Sequence, residues 1–158
     1  MTKLFEEWKS KKENAGFYSK KQILNIAKKK AREVNNKADQ LHEEVFSELD
    51  CLDCANCCKS IPPLLNEQDI KRIAKFLGIK AGHFKEEYTR IDEDGDIVLK
   101  TVPCIFLEED NKCRVYEVRP KACREYPHTD NAQFMKNLKL HMENVAYCPA
   151  VYHIVSRL

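Results

Sequence analysis

Cys51-Leu52-Asp53-Cys54-Ala55-Asn56-Cys57-Cys58 holds half of the 8 cysteines in a chain of 158 residues. The other four, Cys104, Cys113, Cys123 and Cys148, are spread through the C-terminal half. Cys51, Cys54 and Cys57 repeat as CxxCxxC. Two residues between ligands let a chain curl so that successive sulfurs face one centre, as in zinc ribbons and ferredoxins. A single CxxC would equally mark a redox dithiol; three in register, followed at once by Cys58, point to metal. Neighbouring side chains stand about 100° apart on a helix, so Cys57 and Cys58 are expected to diverge. Each would serve a different metal, or a different corner of one cluster. The remote four are expected to fold back onto the first four, and any two sites should each mix early and late cysteines.

Composition sets the frame. Charged residues make up 33% of the chain, Gly and Pro are few, and the net charge is +2, which describes a helix-rich globular protein. The apolar runs are far short of the roughly 20 residues needed to span a bilayer. Met1-Thr2-Lys3-Leu4-Phe5-Glu6-Glu7 carries acids where a secretion signal needs an apolar stretch. The expectation is a cytoplasmic protein without membrane association. Thiols stay reduced there, which weighs against a disulfide framework.

Read in order, Thr2 to Asn14 predicts a short helix ended by Gly16. Ser19 opens a second helix through a Ser19–Gln22 capping box. Leu24, Ala27, Ala31, Val34, Ala38, Leu41 and Val45 then form a heptad-like seam to about Leu49. That seam serves either an intramolecular hairpin or a homodimer through the N-terminal helix. Asn66 and Asp69 cap a helix that Gly78 ends. Asp94-Gly95 predicts a type I′ hairpin within 91–101. A second hairpin turns at Asp110-Asn111 and brings Cys104 near Cys113. Helices close the chain over 131–144 and 151–158, with Cys148-Pro149 between them. The fold class is mainly α with small β-hairpins, around an irregular cysteine-rich core. Residues 1–50 form a helical hairpin, and 51–158 a metal-binding domain packed with it as one unit.

Thiolates suit zinc, copper(I) and iron–sulfur centres. A ferredoxin run is completed by a remote Cys-Pro, and Cys148-Pro149 matches that, tipping the balance toward iron. Cys58 departs from ferredoxin spacing, and tetrahedral zinc accepts many spacings. The cofactor is therefore an iron–sulfur cluster or zinc/iron ions, held by Cys51, Cys54, Cys57, Cys58, Cys104, Cys113, Cys123 and Cys148. Arg119 and Arg124 flank Cys123, where guanidinium groups would offset the negative charge of a thiolate centre; Glu117 and Glu125 compete for them as salt-bridge partners. His128, Asp130 and Asp53 lie near cysteines but read as surface residues. His42, His83, His141 and His153 read as structural.

These motifs carry a resemblance. The CxxCxxCC run joins Pro103-Cys104-x-Phe106-Leu107, Cys113-x-Val115-Tyr116, Arg119-Pro120-x2-Cys123-Arg124-x-Tyr126-Pro127 and Cys148-Pro149. Together they resemble the CxxCxxCC, or YkgJ-like, cysteine-cluster family over about residues 51 to 149. The resemblance implies a zinc- or iron-chelating domain. A similar cluster occurs in flagellin lysine methylases, linked there to an iron–sulfur centre. This chain has no Gly-rich loop for a methyl-donor cofactor, so that role does not carry over.

The leading expectation is a metalloprotein serving as a redox, metal-handling or accessory module. A structural-zinc domain that binds a protein or nucleic-acid partner through its basic N-terminal helices is a second reading. A metal-dependent enzyme with an open ligand position is a third, although no catalytic constellation is visible. Lys9 to Lys37 contains ten Lys or Arg against Glu13 and Glu33. That stretch reads first as a solvated helix face and second as a landing patch for an acidic partner or RNA. Acids follow at Asp39, Glu43, Glu44 and Glu48, so nucleic acid is not the expected partner, and a protein partner stays open.

Overall fold

The computed structural model describes residues 2–158. It is mainly helical with one small antiparallel sheet, as expected. Its helices are α1 (Lys3–Ile26), α2 (Ala31–Glu48), α3 (Cys51–Cys54), α4 (Asn56–Ser60), α5 (Glu67–Leu77), α6 (Ala81–Tyr88), α7 (Lys121–Glu125), α8 (Leu138–Asn144) and α9 (Pro149–Arg157). The strands are β1 (Thr89–Ile91) and β2 (Ile97–Leu99). Among the described residues no helix is long and apolar enough to cross a membrane.

The chain divides into two compact units: residues 1–54 with 127–158, and residues 55–126. In the first, α1 buries Leu4, Trp8, Ala15, Ile23 and Ile26 along one stripe. α1 and α2 both pack on α9. Polar contacts fix the returning segment. The Trp8 indole donates to the Val145 carbonyl at 2.9 Å, and a His153 ring nitrogen meets the Leu4 carbonyl at 2.8 Å. Asp39 and Asn35 on α2 accept from the Ala132 and Met135 amides.

Two helix boundaries differ from the sequence expectation. α1 runs straight through Gly16, where an added Cβ would meet nothing within 4 Å. Ser19 is buried inside α1 rather than capping a new helix. An exposed glycine costs a helix about 1 kcal/mol, which the buried stripe outweighs. The real break falls at 27–30, where Lys28, Lys29 and Lys30 crowd like charges. The seam is therefore cut in two. Val34, Ala38, Leu41 and Val45 are buried in α2, whereas Leu24 is 56% exposed. The buried half of the seam is intramolecular.

In the second unit Asn66 and Asp69 form a reciprocal capping box on α5, and Gly78 ends that helix at φ 71°. Leu65, Ile70, Ile73, Phe84, Leu99 and Phe106 make the core. β1 pairs with β2, Ile91 opposite Ile97. Their loop is five residues long, 92–96, instead of a two-residue type I′ turn. Only Gly95 there has positive φ, and the Asp92 carboxylate accepts from the Asp94 and Asp96 amides at 3.0 and 2.9 Å. The second hairpin shrinks to one bridge, Leu107 with Cys113, with Asn111 at φ 67° in its turn.

Candidate metal centre

No disulfide joins any of the eight cysteines. Cys51, Cys54 and Cys148 belong to the first unit, and Cys57, Cys58, Cys104, Cys113 and Cys123 to the second. Local structure explains both placements. Asp50 starts α3 by accepting from the Leu52 amide at 2.8 Å, and the Cys54 amide donates to the Asp50 carbonyl at 3.0 Å. Ala55 then turns left-handed, at φ 46° and ψ 17°, and ends that helix. Cys57 and Cys58 ride on α4 beyond it. Cys148 caps α9, whose first residue is Pro149; proline at that position loses no hydrogen bond.

In the second unit the Cys104 amide donates to the Cys58 carbonyl at 2.8 Å, which ties α4 to the segment after β2. The Leu107–Cys113 bridge returns the chain, and α7 carries Cys123. The thiols act on one another through space. Burial pushes Cys104 up to about 11, with Cys58 and Cys113 adding to the effect. Burial, then Cys58, Cys104 and Cys113, pushes Cys123 up to about 12. Cys113 is raised by burial and Cys58, against Arg119. Cys58 is raised first by its hydrogen bond with Cys57 and then by burial. In the first unit burial pushes Cys148 up to about 12, and Cys51 and Cys54 add to it. Each group therefore mixes early and late cysteines.

Cys57 and Cys58 do not diverge. Their sulfurs face each other at 4.0 Å. Adjacent helical residues start about 100° apart, but a thiol on a single Cβ swings far enough to close that angle. At about 2.3 Å per zinc–sulfur bond, the edge of a four-thiolate tetrahedron is about 3.8 Å. The pair fits that edge, so the expectation that the two never share an ion loses its geometric basis. Among the described residues no three Cys, His, Asp or Glu side chains stand at coordinating distance. Holding an ion therefore takes movement of the thiols from the positions they occupy here. The donor set is soft and suits zinc or iron, and binding must release the protons that burial holds on these sulfurs.

The two arginines differ. Arg119 opposes the rise of both Cys113 and Cys123. Its guanidinium also lies 3.8 Å over the Tyr116 ring and donates to the Tyr116 carbonyl at 2.8 Å. Arg124 donates to the Arg119 carbonyl at 2.9 Å and braces the loop. The histidines are structural where their partners are seen. His42 pairs with Thr129 at 2.8 Å and His153 with the Leu4 carbonyl. His128 acts on buried His141. Sequence reasoning read Asp69 only as a helix cap and missed Arg72; the further partners of both lie around Val118 to Lys121. The signal available was an Asp and an Arg three apart on one helix, beyond what a cap requires.

Residues 50–148 match the CxxCxxCC family, described as a "putative zinc- or iron-chelating domain". The chain is also similar to the uncharacterized protein MJ0661 of Methanocaldococcus jannaschii. The two are 31% identical over 106 residues, 65% of this chain and 57% of the relative. The chain thus spans a little over half the length of that relative. No solved structure matches.

Proposed function

The chain belongs to the CxxCxxCC family of zinc- or iron-chelating domains, and on that premise we propose that it binds metal at two thiol groups, as a metal-handling or redox accessory protein. One observation carries this reading. Cys58, Cys104, Cys113 and Cys123 come from four separate segments, yet the Cys104 amide donates to the Cys58 carbonyl at 2.8 Å, the Leu107–Cys113 bridge brings the chain back, and burial with the neighbouring thiols raises the Cys123 pKa. Four thiolates saturate a tetrahedral ion, and Cys57 stands beside them as a fifth. Cys51, Cys54 and Cys148-Pro149 form the second group, which keeps the ferredoxin-like part of the pattern. Zinc suits the first group, and iron or an iron–sulfur cluster the second. When bound, the metal supplies a crosslink between segments far apart in sequence, and at an iron centre an electron store. The chain's own residues supply the thiolates, the Arg119 charge that offsets them, and partial burial. A reducing, cytoplasmic setting suits thiolate ligands.

Metal and acid-labile sulfide per chain, with the visible spectrum after anaerobic purification, test this. About one ion or cluster per thiol group is expected. A reduced chain that takes up neither zinc nor iron sinks the reading. A second reading rests on the outer face of α1, where Phe17 (80% exposed), Tyr18 and Leu24 stand beside Lys20 and Lys21. Here the metal is purely structural, and an acidic protein docks on that face. Slow exchange of bound zinc for added isotope would favour it, and rapid exchange the handling role.

A further inference from the structure

α7 carries Cys123 but has no fully buried side chain, only the half-buried Ala122 and Cys123. Apolar packing alone therefore holds this short helix weakly. Two residues of α5 add to it. Asp69 is nearly fully buried, at 1% exposure. Its Oδ2 accepts from the Asn66 amide at 3.1 Å, which completes the cap of its own helix. Its Oδ1 does something a cap does not need: it accepts from the Lys121 amide at 3.1 Å, at the first residue of α7. The same oxygen accepts from Arg72 Nη2 at 2.5 Å. Arg72 then donates to the Val118 carbonyl through Nε at 3.3 Å, and to the Arg119 carbonyl through Nη2 at 2.9 Å. The backbone from Val118 to Lys121 is thus gripped at three points by one ion pair, 46 to 52 residues away in sequence.

We propose that Asp69 and Arg72 are positioning residues for the thiol group of the second unit. They set Cys123 on α7, and they place Arg119, whose charge acts on Cys113 and Cys123. The assignment rests on reading those thiols as metal ligands. A planar guanidinium presents its donors in a fixed fork, and here that fork is anchored on a carboxylate that is itself buried and on two backbone carbonyls. The loop is therefore held before the metal arrives. A preset ligand loses less freedom on binding and is slower to swing away. Groups that orient ligands from outside the coordination sphere typically change metal affinity by about 10–100-fold.

The test uses cobalt(II) on the full, reduced chain. Sulfur-to-cobalt charge-transfer absorption reports thiolate ligation, and its decay in excess EDTA gives the dissociation rate. Variants are Arg72→Gln, Asp69→Asn and Arg72→Lys. Ile73→Val, in the core face of the same helix, serves as the stability control. Arg72→Gln and Asp69→Asn should bind cobalt yet release it on the order of tenfold faster, with shifted ligand-field bands. Arg72→Lys keeps the charge without the fork and should fall between. Ile73→Val should lower the melting temperature and leave both the rate and the bands unchanged. Unchanged rates in the clamp variants overturn the proposal. So does faster release in Ile73→Val for the same loss of melting temperature, because the effect would then be stability alone. If Arg72→Gln does not fold, Asp69→Asn and Arg72→Lys decide by the same criteria. A wild-type chain that develops no charge-transfer band overturns the metal reading itself, and this assignment with it, before any variant is compared.

Discussion

Acid should weaken the first unit through His141, and the size of the effect follows from its surroundings. The imidazole is fully buried and stacks on Phe134 with ring centroids 4.2 Å apart. Neither ring nitrogen reaches a hydrogen-bond partner. Burial, then the neighbouring His128, lowers its pKa from 6.5 to about 4, against a weak pull from the Phe134 backbone. Between those two values the unfolded chain takes up a proton that the folded chain refuses. Stability is thus full above pH 6.5 and is lost as pH falls toward 4. At about 1.4 kcal/mol per unit, the loss by pH 4 is about 3 kcal/mol. Trp8, the single tryptophan, is buried in the same unit and reports its unfolding by fluorescence. Urea denaturation of wild type and His141→Leu at pH 7.5 and pH 4 measures the effect. Both proteins carry the same cysteines, so acid release of metal cancels in the comparison. The variant should lose about 3 kcal/mol less than wild type on acidification, and should be near wild type at pH 7.5, because no hydrogen bond is broken. Parallel losses in the two proteins would refute the reasoning.

Three further outcomes are expected. Trp8→Phe leaves the buried Val145 carbonyl without its 2.9 Å donor and should cost about 1–3 kcal/mol in urea denaturation followed by circular dichroism. Phe84→Ala removes a fully buried ring stacked on Tyr88 at 4.9 Å and facing Phe106 at 6.3 Å. It should destabilise the second unit by about 3–5 kcal/mol, with metal lost in the same thermal transition. Structural thiolate sites contribute on the order of 10 kcal/mol at neutral pH, so verified chelation should melt residues 55–126. α1 and α2 should keep part of their helical dichroism, and an unchanged melt after metal removal would contradict this.

Some of the fold was legible because the deciding interactions are local. The α5 cap needs only Asn66 and Asp69, and its end only Gly78, all within one short window. The α1–α2 boundary was misread for the opposite reason. Gly16 and Ser19 look like punctuation, but the stripe from Leu4 to Ile26 buries against distant α9, and that packing decides. The heptad count also ran unbroken through Lys28 to Lys30, since periodicity ignores charge. At Asp94-Gly95 the dipeptide predicted a tight turn, and the Asp92 side chain imposed a longer one. For the thiols, CxxC spacing implied that Cys51 and Cys54 act together. Which remote cysteines join which group depends on the Cys58–Cys104 backbone bond and on the α5 clamp, and neither leaves a mark in spacing.

The left-handed turn at Ala55 has a consequence for how sulfurs are sorted. Were residues 51–60 one helix, Cys51, Cys54 and Cys58 would fall on a single stripe, three and four residues apart. One register error would then redistribute them as a set. A left-handed alanine costs about 1–2 kcal/mol relative to the right-handed form, and here the residue is also buried, at 3% exposure. Sliding the chain by one residue would put Cys54 into that strained left-handed place or bury the polar side chain of Asn56 there, so slippage is penalised at one well-defined peptide. Ala55 also marks the point where the chain leaves one unit and enters the other. It works as an indexing joint: sulfurs counted before it are dealt to the first unit and those after it to the second, before any metal is present to do the sorting.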